Sequence, residues 1–233
     1  MKVQNSKCKI QNYGNLPWRT FNFFIVFLTF NFCLLTLPAP VLAQDGNIGK
    51  SQINASSPLY FLKSLREILE IKFAGTTNVR AYRTLEFATR RIREVNSLVK
   101  TSREDLIEPT LVKYLSELQE LKGITNIKDE DMVMRASQVS GHMEVLQKIY
   151  SQVSDPKAKR SIRATIHSLT AWEQQFIDRL DLTKQSAIAQ RMTGSKLSAC
   201  NFLSKEASAS ALNEVEKAVL AERAQKCLEQ SPK

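Results

Sequence analysis

NVRAYRTLEFATRRIREVNSLVK occupies residues 78–100, and its apolar residues Ala81, Leu85, Ala88, Ile92, Val95 and Val99 recur at spacings of 4, 3, 4, 3 and 4. A helix turns once per 3.6 residues, so this alternation keeps all six on one stripe, whereas a strand would scatter them over two faces. A stripe of this kind is the seam of a helix packed in a bundle.

The flanking stretches extend the pattern. Upstream, SPLYFLKSLREILEIKF (57–73) reads as a helix with Ser57 as cap, Pro58 at the first position, Leu62, Leu65 and Leu69 as one stripe, and Gly75 as its stop. Downstream, Ile107, Leu111, Tyr114, Leu118 and Leu121 mark a helix to Gly123, with Pro109 either starting or kinking it. A polar break at 125–128 leads to Asp129, Glu130 and Asp131, acids suited to the positive end of a helix dipole. Met132, Ala136, Val139, Met143, Leu146, Tyr150 and Val153 form the stripe that follows. Asp155-Pro156 reads as a cap and first-turn proline opening a helix to about residue 185, with Ile162, Thr165, Leu169, Trp172 and Phe176 on one face. Residues 186–197, which include Gly194, read as a connection, and a last helix is expected over about 208–228. No stretch alternates with period two. The expectation is an all-α fold, an elongated antiparallel bundle of about five to six helices behind an N-terminal signal or anchor segment.

That segment has three parts. Residues 1–20 carry Lys2, Lys7, Lys9 and Arg19 and no acid; residues 21–37, FNFFIVFLTFNFCLLTL, are almost continuously apolar; PAPVLAQDGN follows, with Val41 and Ala43 placed for a cut before Gln44. A basic end, an apolar run and a small-residue site describe a secretory signal peptide, with cleavage between Ala43 and Gln44. The run is about 17 residues, the lower limit for a membrane-spanning helix, so an uncleaved anchor is the rival reading. Cys33 follows Phe30-Asn31-Phe32 rather than small residues, which argues against a lipidated cysteine. Either way the bulk of the chain is expected outside the cytoplasm, secreted, periplasmic or tethered. The expected organisation is 1–43 signal peptide or anchor, 44–56 flexible leader, 57–185 helical bundle and 196–230 a stapled helical segment. Asn54-Ala55-Ser56 fits a glycosylation sequon, a match that three residues often produce by chance.

Removing residues 1–43 removes Cys8 and Cys33 and leaves Cys200 and Cys227. An even pair in an oxidising compartment reads as a structural disulfide. A zinc site would want more thiols or nearby histidines, and a thioredoxin-like couple would want C-x-x-C; neither is present. The net charge of +10 falls to +6 when the four cations and no acid of residues 1–43 leave. Residues 56–100 hold nine Lys/Arg against four Glu, while 102–154 hold six against nine acids. This modest, uneven excess suits an anionic envelope surface and does not mark a nucleic-acid binder.

Within residues 57–122 three features carry a family resemblance: the start Ser57-Pro58-Leu59-Tyr60 with Leu62-Lys63, the run Ala88, Arg90, Arg91, Ile92, Glu94, and the Leu-rich amphipathic helix around Tyr114. The stretch resembles a bacterial domain family of unknown function found just outside the membrane behind signal or anchor segments. The resemblance implies extracytoplasmic placement and an all-helical fold, brings no catalytic residues, and extends to relatives linked to envelope sensing or sigma-factor control. The chain departs from the pattern at Thr89 and Arg93, where acids are expected, which makes this face more basic.

Arg90, Arg91 and Arg93 form the densest basic cluster, the candidate contact for an anionic surface, although Glu86 and Glu94 share the face. His142 with Met132, Met134 and Met143 could suggest a soft metal, but two of the methionines belong to the core stripe and one histidine is no site. No metal and no cofactor is expected. No carboxylate pair, Ser/His/Asp order or phosphate loop stands out, and neither His142 nor His167 has Glu three residues before it, as bundle metal sites require. The reading is an exported, non-enzymatic helical interaction protein of the envelope with a protein or anionic-surface partner. The alternative is an extracytoplasmic sensor responding to a ligand or metal.

Overall fold

The structure, a computed structural model, describes residues 53, 55–124, 129–177, 186–209 and 212–230. Among them are seven α-helices and no strand: α1 (Tyr60–Lys72), α2 (Thr77–Lys100), α3 (Ile107–Gly123), α4 (Asp129–Tyr150), α5 (Pro156–Ile177), α6 (Ser186–Ala207) and α7 (Glu214–Glu229), with a 3-10 turn at Glu104–Leu106. Local sequence explains the boundaries. Thr76 Oγ1 accepts from the Val79 N–H at 3.3 Å and caps α2. Asp155 Oδ2 accepts from Ala158 N–H at 2.7 Å ahead of Pro156, and Asn213 Oδ1 accepts from Glu216 N–H at 2.8 Å, so α5 and α7 start on capping side chains. Pro109 lies in the first turn of α3, two residues after its start at Ile107, where its missing N–H leaves no helical bond unmade.

Most helices that follow one another in sequence pack together, whereas α3 lies mainly against α2 and α5. α2 packs on α3 and α4, α4 on α5 and α6, and α6 on α7. The stripes read from the sequence meet in one core: Ala81, Ala88, Ile92, Val95, Ile107, Tyr114, Met143, Leu146, Ile162 and Leu169 are all fully buried. Among the described residues the core cluster runs from Ala81 to Ala224.

Three expectations change. The stretch 186–197 is the first half of α6, and Gly194 lies inside that helix with open space around it, so it breaks nothing. The boundary drawn at 196 therefore falls within a helix, and the bundle gains a helix beyond the six expected. Ser57 does not cap α1: its Oγ accepts from Leu59 N–H at 3.3 Å and closes the turn before the helix, which begins at Tyr60. Most telling, Leu62, Leu65 and Leu69 do not pack; they are 49%, 52% and 43% exposed.

Candidate functional site

Helix α1 is turned inside out. Tyr60, Lys63, Ser64, Glu67, Glu70 and Ile71 are buried or half-buried against the bundle, while Phe61, Leu62, Leu65, Arg66, Ile68, Leu69 and Lys72 are all exposed. Both sets follow helical periodicity, so the helix presents one polar face inward and one apolar face outward. Phe61 and Ile68 are 64% and 63% exposed, and Phe73 beyond the C-terminus is 77% exposed.

The polar face rests on a seat built around Arg91 of α2. Its Nε donates to Glu117 Oε1 of α3 at 2.9 Å, and one Nη donates to Glu94 Oε1 at 2.7 Å and to the Tyr60 hydroxyl at 3.0 Å. The other Nη donates to Glu67 of α1. Lys63 donates to Glu94 and, at 3.0 Å, to the Ile53 carbonyl. The Tyr60 hydroxyl donates to Glu94 Oε2 at 3.2 Å, and Lys113 of α3 stands 4.7 Å from the Tyr60 ring centre. Alongside, Arg90 donates to Glu86 at 2.6 Å and lies 3.6 Å from Glu67 and 3.8 Å from Glu70, while Arg83 donates to Glu86 at 2.9 Å. Glu67, Glu70, Glu86, Glu94 and Glu117 thus meet Lys63, Arg66, Arg83, Arg90 and Arg91, with Lys113 beside the Tyr60 ring. Guanidinium suits the centre because its planar fork of donors reaches three carboxylates at once.

Burial sets the electrostatics. Arg91 is 3% exposed; the Glu117, Glu94 and Glu67 charges outweigh its desolvation and hold it more firmly protonated than a free arginine. Glu117 responds in the opposite sense. Burial pushes its carboxyl up to about 7, the Arg91 contact offsetting only part of that, and the Glu67 and Glu94 charges push the same way. Its Oε2 accepts no hydrogen bond. Burial and the Glu94 charge raise the Tyr60 hydroxyl as well, keeping it a donor.

Two further polar groups lie in the core. His142 of α4 meets Thr89 Oγ1 through Nε2 and the Tyr114 hydroxyl through Nδ1, both at 3.1 Å. Thr89 Oγ1 donates to the Leu85 carbonyl at 3.0 Å, so it accepts from Nε2–H, and Tyr114 donates to Nδ1. Burial, with the Arg93 charge nearby, lowers His142 to about 3, so the ring is neutral. Both nitrogens are occupied, Met143 is fully buried and Met134 is 48% exposed, so these residues do not converge on a metal; the Met132 side chain lies outside the described residues. Among the described residues no group of three His, Cys, Asp or Glu could hold an ion. Between α4, α5 and α6, Ser140 donates to Glu173, which is 1% exposed and raised to about 8 by burial. Beyond it Lys196, also buried, donates to Gln174 and to the Gln230 carbonyl. An open cleft of about 570 Å³ near Tyr150, Lys159, Phe202 and Glu206 carries mixed charge.

The basic cluster expected at the surface is therefore internal: Arg90 and Arg91 are committed to carboxylates, and Arg93 is half-buried near His142. Sequence periodicity on α2 gave only part of this: Glu86 and Glu94 lie on α2 itself, but Glu67 and Glu70 come from α1 and Glu117 from α3. Cys200 and Cys227 come together, their Cα atoms 5.6 Å apart and bonded, joining α6 to α7. Trp172 is buried as expected; the Phe176 side chain lies outside the described residues. So do Cys8, Cys33, the cut between Ala43 and Gln44, Asn54, the signal or anchor segment 1–43 and almost all of the leader 44–56. No helix of the described residues is long and apolar enough to cross a membrane.

Residues 52–156 match the family model of a domain of unknown function, DUF5667. The matched stretch holds α1 to α4 entire, so α1 and its seat lie within it while the disulfide lies beyond it. The match runs past the 57–122 resemblance read from the sequence and takes in α4. No curated protein and no solved structure matches the chain.

Proposed function

We propose that the protein is an exported, non-enzymatic helical interaction module of the bacterial cell envelope, and that it works by presenting α1. The observation that carries this reading is the outward apolar face of α1, held in place by a charged seat on its opposite side. A helix that spends its polar residues on the protein and its apolar ones on the surroundings is built to meet something else. Export is supported by the signal-like order of residues 1–43 and by a cysteine pair at bonding distance, which suits an oxidising compartment. The test is a photo-crosslinking side chain at Phe61 of the full chain in the producing cell, with the same group at exposed Val215 of α7 as reference. Adducts with envelope material from position 61 and not from 215 are expected; no adducts from 61, or only cytoplasmic ones, would remove the proposal.

A sensor reading has one observation of its own. Glu117 at about 7 and Glu173 at about 8 are buried carboxyls poised near neutrality, so a proton or cation reaching them would alter helix packing. A thermal shift of several degrees with a physiological metal, abolished in Glu117→Gln or Glu173→Gln, would favour it.

A further inference from the structure

We propose that the outward face of α1 docks on an anionic lipid bilayer, the helix lying flat in the membrane interface while its polar face stays in the seat. This rests on the exported-module reading and names its partner. The first argument is charge. The outward face carries Arg66 and Lys72 among Phe61, Leu62, Leu65, Ile68 and Leu69, and no carboxylate; the two acids of the helix, Glu67 and Glu70, both turn inward. Arg66 bonds Glu70 at 2.5 Å yet remains 51% exposed, a surface pair that leaves the cation available. Arg80 is exposed in the first turn of α2, just past the link from α1. Bulky apolar residues with cations among them and no acids are what an interfacial helix shows a negatively charged surface.

The second argument is area. A helix of 13 residues is about 20 Å long and about 10 Å wide, a footprint of roughly 200 Å². A stable dimer buries about 800 Å² per partner, and two copies would bring like charges together. A bilayer needs no shape match, only apolar side chains that reach below the headgroups. The third argument is position. The apolar run ends at Leu37, leaving 22 residues before Tyr60. Twenty-two residues reach at most about 75 Å, so an uncut anchor would keep α1 within reach of the bilayer, and a cut one would leave the face itself to find it. Because the seat uses the other side of the helix, docking requires no unfolding.

The test uses the chain from Gln44, which keeps every core residue among those described, so the apolar run cannot carry the signal. It is floated with vesicles of phosphatidylcholine alone and of phosphatidylcholine mixed equally with phosphatidylglycerol. Flotation is expected only with the anionic vesicles, weakening as salt is raised. Leu65→Glu with Leu69→Glu should lower partitioning about ten-fold or more at unchanged helicity and Tm, since both residues are exposed. Lys72→Glu, at an exposed position, should weaken it less and flatten the salt dependence. Absence of flotation with anionic vesicles, or flotation indifferent to both variants, overturns the proposal. Crosslinks from Phe61 that land on a protein alone overturn it too, while leaving the interaction-module reading standing; no flotation and no adducts at all removes both.

Discussion

The first helix, α1, and the last, α7, are held to the bundle by opposite chemistry. α1 meets α2 and α3 through Arg91, Glu67, Glu94 and Glu117 and turns its leucines outward. α7 turns Leu220, Ala224 and Cys227 inward, and the bond from Cys227 to Cys200 closes the joint. An apolar joint with a covalent tie holds at any salt and across pH, and yields only to a reductant. A charged seat holds its helix by interactions that respond to salt and protons, and it frees the apolar face for another surface. The difference separates a fixed end of the molecule from an adjustable one.

The largest expected effect breaks the adjustable end. Arg91→Met leaves Glu67, Glu94 and Glu117 without their shared cation and should cost about 3–5 kcal/mol in denaturant unfolding. Protease cutting in the link at 73–76 should rise with it. A loss below about 1 kcal/mol would mean that α1 is not held by this seat. At the fixed end, Cys200→Ser with Cys227→Ser opens a loop with a sequence separation of 27 and should cost about 3.5 kcal/mol on the chain-entropy account. Cutting at 73–76 should then stay unchanged. Raising salt should reduce the effect of the arginine variant more than that of the cysteine variant.

A smaller effect comes from protons. In the folded chain Glu117 titrates near 7, above its ordinary 4.5, so the native state holds the proton after the unfolded state has lost it. Its contribution therefore favours folding fully below about pH 4.5 and is lost as pH rises to about 7, by up to about 3 kcal/mol. Glu86, held low by Arg90 and Arg83 despite burial, works in the opposite sense, so whole-protein stability against pH mixes the two. The difference between the protein and Glu117→Gln isolates the term: the variant should gain on the parent as pH rises from about 4.5 to about 7. A difference flat in pH would place the Glu117 charge in water.

The sequence carried the core and missed the site, for a physical reason. Ala81, Leu85, Ala88, Ile92 and Val95 on α2, like Ile107, Leu111 and Tyr114 on α3, are spaced by the helix repeat, so burial follows from local sequence. Periodicity says that Leu62, Leu65 and Leu69 share a face and cannot say which way that face points. The clue was on the other face of α1, where Tyr60, Lys63, Glu67 and Glu70 follow the same repeat with both signs of charge. A helix with two well-formed faces can dock by either, and the choice is made by the partner helix, here by Arg90 and Arg91, which sequence placed at the surface. Arg91 lies between the buried Ala88 and Ile92 in position, close to the core stripe, so the half-turned guanidinium was legible in hindsight only once α1 was known to cross there.

The smallest effect sharpens the fixed end. Gly194 lies in the stretch that reads as a connection, yet α6 runs through it to Cys200, and a Cβ placed there would meet nothing within 4 Å. The position is exposed and its φ is not in the left-handed region, so Gly194→Ala removes the entropy cost of ordering glycine and adds no clash. It should raise stability by about 0.5–1 kcal/mol, a Tm gain of about 1–4 °C. Cutting at the α1 link and the pH profile from Glu117 should not move, because α6 makes no part of the seat. A gain that also protected the link would mean the two ends are coupled, and α1 would then be only as loose as the disulfide joint allows.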